Sequence, residues 1–111
     1  MAYDEELAER IRDVLGPRLG EVTEKKMFGG LSFMVGGNLA VAVRGTAGLL
    51  ARVGVEQMGN WQQPGSVEPA VMGGREMHGW LSVSPEAVAD DKSLEQWVNR
   101  CLAYAGTLPR K

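Results

Sequence analysis

"EKKMFGGLSFMVGGNLAVAV", residues 24–43, holds two runs of the same rhythm: Leu31, Phe33 and Val35 alternate with smaller or polar residues, and Leu39, Val41 and Val43 do the same. A period of two marks strands with one apolar face. Between the runs stands "GGN", residues 36–38. Parallel pairing would need a crossover of roughly a dozen residues, so an antiparallel hairpin is the natural connection. The glycine pair at 29 and 30 raises another question, because glycine-rich loops also cradle phosphates. Here the following residues, LSFMV, read as a strand, and neither the Walker spacing nor the three-glycine dinucleotide pattern occurs. With no helix N-terminus behind it to hold an anion, the pair is expected to bend the chain as a turn or bulge.

Working outward, residues 22–28 predict a preceding strand and Leu49, Ala51 and Val53 a following one. Residues 4–15 predict a helix, with Asp4 as cap, Glu5 and Glu6 in the first turn, and Leu7, Ile11, Val14 and Leu15 on one face. Gly16 and Pro17 are expected to stop it. Residues 55–63, VEQMGNWQQ, suggest a short helix or irregular segment closed by Pro64 and Gly65. A second hairpin is predicted from strands at 67–72 and 76–83 joined across Gly73 and Gly74, with Met77, Leu81 and Val83 sharing one face with Gly79. Ser84 and Pro85 can start a helical turn. A last helix over 91–106 carries Leu94, Trp97, Val98, Cys101, Leu102 and Ala105 as an apolar stripe, with Ser93 and Gln96 at capping-box spacing. The expected fold class is α+β: two layers, an antiparallel sheet of five to six strands, and terminal helices packed on one face. Residues 1–111 are expected to form a single domain.

Composition narrows the function classes. The chain is 44% hydrophobic and 23% charged, ordinary for a folded protein, and its 12 basic and 14 acidic residues leave a net charge of −2. Nothing in that balance draws it onto a phosphate backbone, so direct binding of nucleic acid is not expected. One cysteine, Cys101, excludes an internal disulfide, and one histidine, His78, cannot supply a zinc cluster. No cofactor or metal is expected. The opening MAYDEEL is acidic where a secretory signal is basic, and no run approaches the roughly 18 apolar residues of a membrane span, so a cytoplasmic location without membrane contact is expected.

Few residues suggest catalysis. His78, Ser82 and Asp90 or Asp91 are the residue types of a hydrolytic triad, but four positions along a strand separate His78 from Ser82 by roughly 13 Å. Ser32, Ser66, Ser82, Ser84 and Ser93 all lack the glycines of a nucleophile elbow. Cys101 falls in the apolar helical stripe, where a thiol behaves as a small hydrophobe. No catalytic residue is assigned. The second face of the expected sheet is more informative, since Met34, Ala40, Ala42, Arg44, Leu50, Arg52, His78, Trp80 and Ser82 alternate with the core positions. Methionine, arginine and tryptophan suit a protein interface, so Met34, Arg44, Arg52, His78 and Trp80 form the candidate surface for a protein partner or a homodimer. The alternatives are weak nucleic-acid binding through Lys25, Lys26, Arg44, Arg52 and Arg75, with Trp80 or Phe28 to stack on a base, and a small enzyme built on His78 with a carboxylate.

Residues 24–43, with "GLLARVG" at 48–54 and "MGGREMHGWLSV" at 72–83, resemble the amino-terminal domain of the TfoX/Sxy family. The lead-in "LGEVTEKKMFGG" and the closing "DDKSLEQWVNRCLAYAGTLP" fit the same pattern, and Lys25, Met27, Phe28, Gly29 and Gly30 match its Lys-x-Met-Phe-Gly-Gly signature. The resemblance implies a compact α+β domain with an antiparallel sheet. It also implies kinship with bacterial regulators of natural competence genes, whose two-domain members are thought to work with the cyclic-AMP receptor protein at promoters. This chain is expected to carry only the first of those domains. The family supplies no agreed catalytic residues, so a non-enzymatic role is expected.

Overall fold

In a computed structural model of the chain, which describes residues 5–27, 30–44, 48–63, 65–72 and 74–109, helix α1 (Glu5–Leu15) leads into strands β1 (Thr23–Met27), β2 (Gly30–Val35), β3 (Asn38–Val43) and β4 (Leu49–Arg52). A short helix α2 (Met58–Trp61), strands β5 (Val67–Met72) and β6 (Arg75–Val83), and helix α3 (Asp91–Gly106) follow. The six strands form one open antiparallel sheet in the order β1-β2-β3-β4-β6-β5. This is the expected α+β architecture. Gly36 and Gly37 both take positive φ, 60° and 85°, and Val35 pairs with Asn38 across them. Such a two-residue loop follows the twist of the strands it joins.

One face of the sheet packs under the terminal helices. Leu7, Ala8, Ile11 and Leu15 from α1 and Leu94, Trp97, Val98, Cys101 and Ala105 from α3 close over Leu31, Phe33, Val41, Val43, Leu49, Ala51, Leu81 and Val83. Two polar ties fix α1. Arg12 grips Glu24 of β1 with both ends of its fork, Nε to Oε2 at 2.9 Å and Nη2 to Oε1 at 2.6 Å, and also pairs with Glu9. Arg10 reaches the carbonyl of Ala89 and the carboxylate of Asp91 at the head of α3.

Several local expectations need correction. The first helix does end at Leu15, before Gly16 and Pro17, but the chain then continues as a 3-10 helix, Gly16–Glu21, which the sequence did not suggest. The cap of α3 is Asp90, whose side chain accepts from the Ser93 amide at 2.9 Å; Ser93 is a donor to the cap and not the cap itself. Asp4, Phe28, Gly29, Pro64 and Gly73, on which expectations above rest, fall outside the described residues. Gly30 starts β2 at a place where a Cβ would stand 2.2 Å from the Val43 carbonyl oxygen, so close backbone approach requires the glycine.

The larger corrections concern which way side chains point. Phe33 pairs with Val41 but Met34 pairs with Leu39, so Ala40 is an extra residue bulged out of the ladder. One extra residue reverses the alternation beyond it. Ala40, expected on the second face, is fully buried in the main core, and Leu39, expected in that core, packs on the second face. A wider irregularity interrupts β6, where Leu81 pairs with Pro69 and Glu76 with Val71, leaving residues 77–80 opposite Ala70. At its centre Gly79 has φ 89°, and its carbonyl accepts from both Val53 and Gly54 at 2.8 and 3.0 Å. Met77, expected beside Leu81, therefore joins the second face.

Candidate functional site

The sheet face away from the helices has its own small apolar cluster. Ala42, Leu50 and Ala70 are buried there, with Leu39, Met77 and Trp80 packed against them. No described helix contributes a residue to it. Register explains the grouping, since Lys25, Ser32, Ala42, Leu50, Ser82 and Glu68 follow one another across the six strands in a single row. The row is polar at both edges and apolar in the middle. Ser32 is buried within it, and its Oγ has no hydrogen-bond partner among the described residues.

The five residues expected to form an interaction surface are distributed around this cluster. Trp80 is half-buried and pairs with Arg52, whose guanidinium carbon lies 5.2 Å from the indole centroid. That is within reach of a cation–π contact. The same guanidinium lies 5.9 Å from the Tyr104 ring. Arg44 donates from Nη1 to the Ser82 hydroxyl at 2.9 Å, spanning β4 to reach β6. Met34 is half-buried beside Leu39, and His78 is exposed within the bulged part of β6. Trp80, Arg52, Arg44 and Met34 thus border one surface.

The basic residues are not brought together. Lys25 and Lys26 are exposed on edge strand β1, and their partners Ser32 and Leu31 put them on opposite faces. Arg75 begins β6, beyond three intervening strands. At about 4.8 Å per strand that is roughly 19 Å across the sheet. Arg44 and Arg52 lie between them, each engaged by Ser82 or Trp80. Cys101 is fully buried in α3, and burial pushes its thiol pKa up to about 12, so it stays protonated and unreactive at neutral pH.

A second aromatic cluster was not visible from sequence. Trp61 and Trp97 meet edge to face at 6.0 Å, and the Arg100 guanidinium carbon lies 3.6 Å from the first ring centroid and 5.1 Å from the second. The spacing of Trp97, Arg100 and Tyr104 along α3, three and four residues apart, puts them on one side of the helix and was the available signal. Their partner Trp61 lies in the short segment that periodicity could not assign.

The model of the TfoX N-terminal domain matches residues 13–105, all but the two ends of the chain. The chain belongs to the TfoX N-terminal domain family. That family is associated with the regulation of competence. No curated protein and no solved structure matches the chain. For this TfoX N-terminal domain no helix is long and apolar enough to cross a membrane, and no group of three or more metal-ligating side chains occurs among the described residues.

Proposed function

We propose that this TfoX N-terminal domain is a non-enzymatic interaction module in bacterial gene regulation, working in the cytoplasm by docking a protein partner or a second copy of itself through the helix-free sheet face. The supporting observation is the apolar cluster of Ala42, Leu50 and Ala70, bordered by a half-buried Trp80 with Arg52 over its ring. An aromatic anchor flanked by arginine, on a face that no described helix covers, is the composition of an interface centre. The spread of Lys25, Lys26 and Arg75 across the sheet favours a protein over a nucleic acid as partner.

The test is Trp80→Ala. Sedimentation of the purified chain and capture of partners from the native host should both weaken, while the circular dichroism spectrum and the cooperative unfolding transition persist. Loss of the folded state in this variant would make Trp80 a structural residue and defeat the proposal.

A further inference from the structure

A groove with a volume of about 500 Å³ opens on the helical side of the molecule, between α3 and the segment 55–61. Val53, Gln57, Trp61, Arg100, Ala103 and Tyr104 are among its walls, and among the described residues Arg100 is the only charged side chain lining it. An adjoining lobe of about 460 Å³ shares Val53, Gln57 and Tyr104 and adds Val55 and the carboxylate of Glu56. Val55 is exposed, although it is large and apolar.

The wall around Arg100 is built. Its guanidinium carbon stands 3.6 Å from the Trp61 centroid and 5.1 Å from that of Trp97. Trp61 is held in turn, because its Nε1 donates to the Gln57 side-chain oxygen at 3.1 Å, and that oxygen also accepts from Asn60 at 3.0 Å. Stacking occupies the flat face of a guanidinium and leaves its N–H donors, which lie in the plane, for an acceptor at the edge. Among the described residues no carboxylate pairs with Arg100 and no acceptor bonds it. Burial pulls its pKa below the usual value, the sign of a cation short of solvent and of counter-charge. A second guanidinium, Arg52, lies 5.9 Å from the Tyr104 ring and adds to the positive potential.

We propose that this groove binds a small aromatic carboxylate, with its ring against the indole and phenol walls and its carboxylate on the edge of Arg100. The volume falls within the range of small-molecule sites, roughly 300–1,000 Å³, which are mostly apolar with a few placed polar groups. Flat walls select a flat ring. An unpaired guanidinium selects an anion, and a carboxylate matches its fork.

The probes are 1-naphthoate and its neutral counterpart 1-naphthamide, titrated into the full chain while the indole N–H resonances are followed. With naphthoate, the Trp61 and Trp97 signals should move saturably and the Trp80 signal should stay. Naphthamide should bind about tenfold more weakly, the expected loss of a charge-assisted bond. Ala103→Glu, at an exposed helical position three residues from Arg100, supplies an internal carboxylate and should abolish naphthoate binding with the helical spectrum intact. Arg100→Gln should bring the two probes to equal affinity. No saturable shift up to millimolar naphthoate, equal affinity of acid and amide for the native chain, or a response centred on Trp80 would overturn the proposal.

Discussion

The two faces of the sheet are made from the same six strands and differ in what lies against them. On the helical face, Phe33, Val41, Leu49 and Leu81 are fully buried beneath α1 and α3. On the other, Ala42 and Leu50 keep 8% and 7% of their surface exposed and are covered by neighbours from the sheet itself, Leu39, Met77 and Trp80. The difference teaches that a sheet can shelter small residues by its own bulges, without a second helical layer. Both bulges feed this face, one by turning Leu39 onto it and the other by turning Met77 onto it beyond Gly79.

Phe33→Ala should break the helical side hardest. Truncating a fully enclosed ring costs about 3–5 kcal/mol, and chemical denaturation should show the midpoint falling with the slope unchanged. Leu50→Ala sharpens the contrast. Its cluster is small and lies near solvent, so the loss should fall at the low end of the range for leucine truncation, about 2 kcal/mol. Equal losses for the two variants would mean that both faces are true cores and that the helix-free face has little left to offer a partner. The smallest effect is expected at the edge of the helical layer, where Arg12 ties α1 to Glu24. The hydrogen bond from Arg12 holds the Glu24 carboxyl below its usual pKa, so this contribution is present above the unfolded carboxylate range and is lost as pH falls through the folded value. Glu24→Gln should cost no more than about 1 kcal/mol near neutral pH and should flatten the acid side of the stability profile. A steeper acid loss in the variant would contradict that assignment.

Much of the fold was legible because each strand carries its own period and each turn its own glycines. Residues 31–35 and 49–53 face as their pattern predicts, and both terminal helices appear with their apolar stripes inward. The pattern failed where small residues make both registers acceptable. In Asn38–Val43, alanine stands at 40 and 42 around Val41, so burying Ala40 or Leu39 satisfies the alternation almost equally. The candidate surface was legible in part, since Trp80, Arg52, Arg44 and Met34 do border one face, while Met77 and Leu39 came to it unannounced. The groove beside Arg100 was legible only in the spacing of Trp97, Arg100 and Tyr104, because its other wall is Trp61, thirty residues before α3 in sequence and brought to it by tertiary contact.

The sequence by itself determined the order of elements, the antiparallel pairing and the absence of a charge balance suited to nucleic acid, since these follow from local period, turn residues and composition. Only the tertiary structure decided which small residues go inward at the bulges and which arginine comes to lie against two indoles with no carboxylate partner among the described residues. Those outcomes depend on the competition between pairing registers and on groups distant in the chain meeting in space, and no local pattern encodes either.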